Sequence, residues 1–509
     1  MQGCLKSKVN RIEPNVPVAG FLHAGSGLSV AVLMMVFVFV RPAIAFGQVY
    51  SLNEVIAYAQ NHSPEALKVK TTKENKYWQW RSYKSNYKPQ LVLSSTLPDY
   101  RNRNIAVIQD DGSIEYRNVN QSQANIELSL EQNISLTGGK LFLNTGLARI
   151  DNINKNIHSY SGTPFFIGIS QPVFAYNRLK WMNRIEPLKY DESLKEYIEN
   201  MERIAYGAAF RFFNLLIAQI SYEIAEKNLN NADTIYTIGN EKHAMGKISK
   251  NELLQLKFGL ISAQKSVSGA LLSQETSLLE LSSYTGLQKT GTYSLSLPDH
   301  ISIYEIDKAI AVEKALENSQ RSVAFKRTVL EAKRNVEQAK RDNRLNAEVN
   351  LSYGTTNVAA HMPEIYQNAQ TLQTLNFNVS MPILDWGRAK SLYKTAEANL
   401  KLVEYTVQQE KINFNQEIIT QIEYFRMLKG LIKYTREADQ IADQRYEIAR
   451  LRYINGNISL TDYNIALEEK DRAKLDYIRA LRDYWLTNYS IRILTLYDFK
   501  NDRQIIMDN

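Results

Sequence analysis

Apolar side chains occupy every second position in several stretches of this chain, with polar side chains between them. In the clearest stretch, residues 345–353, the odd positions are apolar and the even positions are asparagine, glutamate or serine. The same alternation occurs at 375–381 and, earlier, at 126–130. A strand presents alternate residues to its two faces, so this period predicts strands with one apolar and one polar face. Such strands form either a soluble sheet packed on one side or the wall of an outer-membrane barrel.

Two much longer stretches, 178–245 and 388–455, have a helix-favouring composition instead. At about 1.5 Å per residue, a continuous helix over either stretch would be on the order of 100 Å long. Apolar residues in the second stretch recur at spacings of three, four and seven, which is typical of a coiled-coil seam. The seam residues are Leu400, Val403, Val407, Phe414, Ile418, Ile422 and Phe425.

Shorter helices are predicted on both sides of each long one. They are expected at about 52–87, 251–283, 304–344 and 461–494. Two short helices placed end to end match one long helix in length, so the pattern predicts a bundle two helices thick on each side throughout its length. The junctions between short helices would form a belt around the middle of the bundle.

The whole pattern occurs twice. Residues Gln171–Arg178 match Met381–Arg388, and Gly246–Ser249 match Gly456–Ser459, both 210 residues apart. Upstream of the strand motifs the offset becomes 256, so the first copy carries about 46 extra residues between its strands. Each half is predicted to contain a helix, a strand pair, a very long helix, a tight turn and a helix.

The first residues have the features of a secretory signal peptide. Three basic residues, Lys6, Lys8 and Arg11, precede the apolar run 27–40, and small residues follow at 43–45. A membrane anchor is the less favoured alternative, because the run is shorter than the roughly 18 apolar residues that span a bilayer. The predicted divisions are therefore a signal peptide at 1–45, a first repeat at 46–286 with an insertion at about 98–163, a linker at 287–303, a second repeat at 304–496 and a tail at 497–509.

Composition then narrows the class of protein. Removal of residues 1–45 takes away Cys4, the only cysteine, and leaves 57 basic and 52 acidic residues. A net charge of +5 on so long a chain gives no case for nucleic-acid binding. No segment after the signal is expected to span a membrane as a helix, so a membrane location would require strands.

The expected number of strands is too small for one chain to close a barrel. The repeats predict strands at about 88–95, 164–172, 345–353 and 374–382, and the insertion adds a hairpin or an extracellular extension, with turn signals at 110–112 and 138–139. Known barrels need about eight strands, so several chains would have to share one barrel.

Residues with catalytic or metal-binding spacing are absent from the sequence. The six histidines are scattered, and none pairs with a second histidine four residues away. No glycine-rich phosphate loop follows a strand. The sequence therefore predicts no enzyme activity, no metal site and no cofactor.

The order of these motifs resembles the TolC-type outer-membrane efflux family. The resemblance rests on the opening Leu52–Ala59, on the strand ends Gln171–Phe174 and Met381–Arg388, and on the paired glycine turns. It implies a mainly α fold with a transmembrane β-barrel portion, in which three copies of the duplicated repeat form one tunnel. It also implies an outer-membrane location with a periplasmic extension in a Gram-negative bacterium, contact with outer-membrane lipid, and two partners: a periplasmic adaptor and an inner-membrane transporter.

The two glycine turns are the candidate functional sites. Gly246 and Gly456 stand where a tight reversal needs positive φ, and the resemblance implies that these tips dock the adaptor. The tip residues are Gly246, Lys247, Ile248, Ser249, Gly456, Asn457, Ile458 and Ser459. The alternative is that they form only a stable turn and a capped helix start.

Acidic residues follow both turns six positions on, at Glu252 and Asp462. Three copies would ring an axis with acids, as expected of a periplasmic entrance. Tyr453 resembles a family position that holds this entrance closed, and Arg450 and Arg452 are its candidate partners; the alternative for each is a solvated helix flank. The predicted function is a passive exit duct for small solutes or drugs, and the alternative is a non-conducting periplasmic coiled-coil protein that spaces the envelope.

Overall fold

The computed structural model describes residues 49–287, 293–298, 301 and 304–506. The predicted signal peptide lies outside these residues. Within them, the chain forms α1 (Leu52–His62), α2 (Pro64–Ser85), α3 (Arg178–Ala244), α4 (Lys250–Thr285), α5 (Lys308–Asn318), α6 (Gln320–Asp342), α7 (Arg388–Ile454) and α8 (Leu460–Thr495). The strands are β1 (Val49–Tyr50), β2 (Gln90–Ile108), β3 (Ile114–Asn133), β4 (Lys140–Asn152), β5 (Ile157–Val173), β6 (Ser294–Leu295), β7 (Asn346–Ala359), β8 (Gln370–Ser380), β9 (Tyr497–Asp498) and β10 (Arg503–Gln504).

The duplication is visible in the helix bounds. Both long helices, α3 and α7, have 67 residues, and both α4 and α8 have 36. Each member of a pair begins and ends 210 residues after its counterpart. The predicted fold class, mainly α with a strand portion built from a repeated unit, is confirmed.

The predicted single helices at 52–87 and 304–344 are wrong, because each is two helices. Ser63 ends α1 in an extended conformation, and its side chain accepts a hydrogen bond from the Ala66 backbone N–H at 3.0 Å. Pro64 follows at the first position of α2, where proline fits a helix start and disfavours helix in the residue before it. Ser319 makes the equivalent break without a proline and caps α6 through the Ser322 N–H.

Six strands form one antiparallel sheet in the order β2-β3-β4-β5-β7-β8. The inserted residues lengthen β2 and β5 and supply all of β3 and β4. Gly112 and Gly138, in the two predicted turns of the insertion, both have positive φ. Two short ladders, β1 with β6 and β9 with β10, lie outside this sheet.

The register of the sheet collects apolar side chains on one face. Leu351 lies opposite Leu375 and Ile169, and Val349 lies opposite Phe377. Ile169 and Val349 are half-buried and the other three are exposed; Leu375 and Phe377 have 70% and 64% of their surface accessible. The other face carries polar pairs, such as Ser129 with Asn144 and Ser170 with Glu348, each bonded at 2.7 Å. We refer to the exposed apolar face as the outer face of the sheet.

Helix packing provides the main core. Five of the seven predicted seam residues of α7 are buried, from Val407 to Phe425. They pack with Phe212 and Phe213 of α3 and with Tyr484 of α8 in one cluster. A seam of this length stabilises the helices mainly by burial, because isolated helices gain little from propensity alone.

A buried ion cluster ties the end of α8 to the middle of α3. The Arg492 guanidinium donates to both Glu202 carboxylate oxygens, at 2.7 and 2.9 Å, and to Asp498 at 3.1 Å. Glu202 is only 4% exposed. Because Arg492 bonds both Glu202 of α3 and Asp498 of β9, this cluster holds the short β9–β10 ladder against the helix bundle.

One helix has the length and composition of a membrane span, although the sequence was expected to contain no segment after the signal that approaches one. Part of α3 is long and apolar enough, by length and composition, to cross a membrane, and half of that part is buried in the protein. The apolar residues of α3 that pack inside, among them Phe212 and Leu215, account for the composition. The sequence pattern alone does not separate such a core stretch from a span.

Candidate functional site: the tips of the helical hairpins

Each helical hairpin reverses at a glycine in the left-handed region. Gly246 has φ +71° and Gly456 has φ +79°. The next residue closes each turn, because the Lys247 N–H donates to the Lys242 carbonyl and the Asn457 N–H to the Arg452 carbonyl, both at 2.8 Å. This six-to-one bond is the Schellman pattern, which satisfies carbonyls left open at a helix end.

A serine begins the second helix of each hairpin. The Ser249 hydroxyl accepts the Glu252 N–H at 3.2 Å, and the Ser459 hydroxyl accepts the Asp462 N–H at 3.1 Å. Asp462 also reaches back and accepts from the Ser459 backbone N–H at 3.4 Å, which completes a capping box, and it accepts from the Ser459 hydroxyl at 2.8 Å. The Asp462 carboxylate thus has a structural role that Glu252 lacks.

Three tyrosines lie just inside the second tip. The rings of Tyr453 and Tyr463 stack at 5.3 Å between centroids, and Tyr446 lies 6.0 Å from Tyr463. Burial raises the pKa of Tyr463 well above its usual value, so this hydroxyl stays neutral. The Asn231 side chain donates to the Tyr446 hydroxyl at 2.9 Å, which connects α3 to α7.

The two tips of one chain contact each other. The Lys242 ammonium donates to the Ile454 carbonyl at 3.2 Å. A cavity of ≈ 440 Å³ lies between the tips, and Glu252 and Tyr453 both line it. Burial and then the Glu252 charge raise the pKa of Tyr453. The structure therefore brings these two predicted entrance residues together.

The other predicted entrance residues lie apart from that cavity. Arg450 forms an ion pair with Glu447 of its own helix at 3.0 Å. Arg452 is exposed, and its carbonyl accepts the turn hydrogen bond. Asp462 is exposed on the cap. Within one chain, neither arginine is bonded to Tyr453 in the described residues.

One half-buried acid between the hairpins, Asp471, was missed from the sequence. The Asn228 side chain of α3 donates to Asp471 of α8 at 2.6 Å, and the other Asp471 oxygen lies 3.5 Å from the Lys470 ammonium. Burial raises the pKa of Asp471. The seven-residue step from Tyr446 to Tyr453 was a usable signal for the tyrosine cluster, whereas the contact between Asn228 and Asp471 leaves no local signal.

The described part of the chain contains no candidate metal-binding cluster. No group of three or more histidine, cysteine, aspartate or glutamate side chains is placed to hold an ion there. What the tips offer is a pair of rigid, exposed turns held over an aromatic cluster. Such an arrangement is suited to contact with another protein or to narrowing a passage.

Comparisons with known proteins agree with this architecture. A family model described as outer membrane efflux protein matches residues 311–494, which lie in the second repeat. The crystal structure of the Campylobacter jejuni CmeC outer membrane channel has a TM-score of 0.63 at 16% identity, over 87% of this chain and 85% of that chain. VceC from Vibrio cholerae has a TM-score of 0.61 at 13% identity, over 87% of this chain and 95% of that one.

A third solved structure, the open state of the Neisseria gonorrhoeae MtrE outer membrane channel, has a TM-score of 0.59 at 12% identity, over 87% of this chain and 88% of that one. The search of curated proteins gives no match. At these identities the solved structures show similarity of fold alone. Together with the family model, they confirm the resemblance to outer-membrane efflux proteins that the motifs indicate.

Proposed function

We propose that this chain, which resembles outer membrane efflux proteins in its fold and in the sequence of its second repeat, is an outer-membrane exit duct. It passively conducts small solutes or drugs and is not an enzyme. The outer-membrane location is the one that the family description supports, and the 67-residue helices would form the periplasmic extension. The observation that carries the proposal is the six-stranded sheet with an exposed apolar outer face, attached to a bundle of helices 67 residues long.

Three chains would complete what one chain leaves open. Strands β2 and β8 are the two edges of the large sheet, and each has one neighbour in the described residues. Unpaired edges within a bilayer are costly because no water is present to bond the backbone. Three copies of a six-stranded sheet give a closed barrel of 18 strands, which is within the known range.

Exposed apolar stripes on α4 and α7 support the same assembly. On α4 they follow heptad spacing through Leu254, Phe258 and Ile261, which are 55%, 72% and 54% exposed. On α7, Tyr434, Ile441 and Ile448 are seven residues apart and 58% to 68% exposed. A second copy that covers these stripes would extend the coiled-coil packing around the whole tunnel.

The tips are proposed to dock a periplasmic adaptor that links the duct to an inner-membrane transporter. Their support is the repetition of one rigid turn geometry at Gly246–Ser249 and Gly456–Ser459, both exposed and far from the sheet. The proposed entrance includes Glu252, Asp462 and Tyr453, with Arg450 and Arg452 available to a neighbouring chain. Three copies of the two acids would give six carboxylates near the axis and would raise the local concentration of cations.

Membrane fractionation separates the duct from a non-conducting scaffold. The duct should pellet with the outer membrane and stay there through an alkaline wash, because its apolar face lies in lipid. A scaffold would be released by the wash. Release of the intact chain would contradict the proposal.

Conductance in planar bilayers tests the entrance. Replacing Glu252 by glutamine together with Asp462 by asparagine should reduce the preference for cations, because six carboxylates become neutral amides of similar shape. Replacing Glu275 and Glu280, exposed acids near the other end of α4, by glutamine is the matched control and should leave the preference unchanged. Unchanged selectivity in the first variant would place the constriction elsewhere.

A further inference from the structure

The hairpin of β2 and β3 extends well beyond the rest of the sheet. Strand β4 last pairs with β3 at Gln121, opposite Asn152. Strands β2 and β3 continue without it up to the pair Ile108 and Ile114. At roughly 3.4 Å per residue, the hairpin projects about 24 Å past the neighbouring strands.

The outer face of this projection continues the apolar outer face of the sheet. Strand β3 alternates through Leu130, Leu128 and Ile126, and the same side of the strand then presents Asn120 and Asn118. Lipid-facing residues thus give way to amides on one uninterrupted strand. If the apolar rows lie in the membrane, these amides lie immediately above its surface.

Five asparagines from three segments meet on this face. We call Asn102, Asn104, Asn118, Asn120 and Asn154 the amide ladder. Asn102 lies opposite Asn120, and Asn104 lies opposite Asn118. The Asn118 amide donates to the side-chain oxygens of Asn102 and Asn104 at 2.9 and 3.1 Å, and the Asn154 amide donates to Asn118 at 3.2 Å. These bonds hold four of the five amides, those of Asn102, Asn104, Asn118 and Asn154, in fixed orientations.

A tyrosine stands at each end of the amide ladder. Tyr100 and Tyr116 are 58% and 74% exposed, and both point to the outer face, because Tyr100 pairs with Ser122 and Tyr116 with Ala106. About 20 Å of strand separates them, at roughly 3.4 Å per residue. Exposed aromatic rings offer flat apolar surfaces with a polar edge.

The outer face of β2 and β3 is uncharged along the projection, and the charged pair beside it, Arg149 with Asp151 of β4, is closed on itself at 2.8 Å. Every side chain on the outer face from Tyr100 to Ile108, and from Ile114 to Ser122, is uncharged. The opposite face carries Arg101 and Arg117, which are paired with Asp99 and Glu115. An anionic phosphate would therefore find no cation among the β2 and β3 side chains of this face, and the neighbouring Arg149 is already paired with Asp151. Neutral hydroxyl groups would find amide donors and acceptors.

We propose that the amide ladder and its two tyrosines bind the sugar chain of a glycolipid anchored in the outer leaflet. This inference rests on the proposed function, which places the apolar face in the outer membrane. Sugar hydroxyls both donate and accept hydrogen bonds, as side-chain amides do, and the C–H face of a sugar ring packs flat on a tyrosine ring. Because the amides are already held by one another, little side-chain freedom is lost on binding.

Binding to two glycolipids with the same kind of lipid anchor tests the proposal. The purified full-length protein in detergent is titrated with lipopolysaccharide that carries its core oligosaccharide, and with lipid A that lacks this oligosaccharide. Wild-type protein should bind the first at least about tenfold more tightly, or about 1.4 kcal/mol. Equal affinity for both would overturn the proposal.

Matched variants assign the preference to one face. The double variant Asn104→Ala with Asn118→Ala removes the centre of the amide ladder and should bring the two affinities within about twofold. The control Arg103→Ala with Val119→Ala changes the adjacent pair on the opposite face and should keep the preference. A preference that survives in the first variant, or disappears in the second, would contradict the assignment.

Two further measurements separate a loss of glycolipid binding from misfolding and from failure of the proposed function. Tyr116→Ala removes an exposed ring without touching the amide bonds, and it should weaken oligosaccharide-dependent binding even if the double variant folds poorly. Alkaline extraction of wild-type membranes is run in parallel. Release from the membrane refutes the proposed function itself, whereas a membrane-embedded protein that binds both glycolipids equally refutes only this inference.

Discussion

Replacement of Gly456 by alanine should weaken the second tip locally while leaving the rest of the molecule intact. Gly456 has φ +79°, and a Cβ built on it has no atom within 4 Å. The cost of the substitution therefore comes from the backbone conformation and not from a clash. A non-glycine residue in the left-handed region costs roughly 1 to 2 kcal/mol.

Hydrogen exchange at the turn measures that cost. The Asn457 amide is protected by its bond to the Arg452 carbonyl, and local opening exposes it. A loss of about 1 to 2 kcal/mol should speed its exchange about 5- to 30-fold. Gly456→Asn should have a smaller effect, because asparagine tolerates this region better.

A second glycine provides a control in which the same substitution by alanine should stabilise the protein instead of destabilising it. Gly269 lies inside α4, also with no atom within 4 Å of a built Cβ, and has no positive φ. Gly269→Ala should stabilise its helix by roughly 0.5 to 1 kcal/mol, because glycine is a poor helix former. If Gly456→Ala exchanges like wild type, or if both alanine variants change in the same direction, the argument from positive φ is wrong.

Three further predictions concern the bundle. Asp471→Asn should raise the melting temperature at pH 7 but much less near pH 4. Burial raises the pKa of Asp471, so the stability that this group contributes is present at low pH and is lost as the pH rises through its folded pKa. An equal gain at both pH values would contradict this. Glu202→Gln should cost about 1.5 to 3 kcal/mol, because Arg492 loses one of its two charged partners and keeps Asp498. Unchanged thermal unfolding would show that the pair is dispensable. Phe414→Ala should cost about 3 to 5 kcal/mol through loss of buried contacts, whereas Tyr405→Ala on the exposed side of α7 should cost far less; similar losses in urea unfolding would argue against the buried seam.

The repeat made most of the helical architecture predictable. Gly246 and Gly456 mark the same turn in both copies, so the ends of α3 and α7 could be predicted to within a residue. The heptad from Val407 to Phe425 indicated which side of α7 is buried, because side chains at such spacing share one face. Those signals are local in sequence or recur at a fixed offset.

Other features depend on contacts that no local pattern records. The alternation of apolar and polar residues lapses after Leu97, where asparagine and arginine follow one another, so the length of β2 was not predictable from it. No proline marks the helix break at Ser319 in the sequence. Arg492 and Glu202 are 290 residues apart, and the pairing of Asn228 with Asp471 likewise arises only when the two hairpins pack together.

The central claim is that neighbouring chains close one barrel. It is tested most directly by a disulfide that joins an edge strand of one chain to the opposite edge strand of another. The mature chain as predicted contains no cysteine, so a single cysteine at Ser94 in β2 can be combined in turn with one at Thr374, Asn376 or Asn378 in β8. All four side chains lie on the polar face, and a disulfide requires Cα atoms within about 7 Å. If three chains close one barrel, at least one pair will give a covalent trimer on a non-reducing gel, together with partly linked dimers. If every pair gives only monomers although the protein is folded and in the membrane, the sheet is not closed by neighbouring chains.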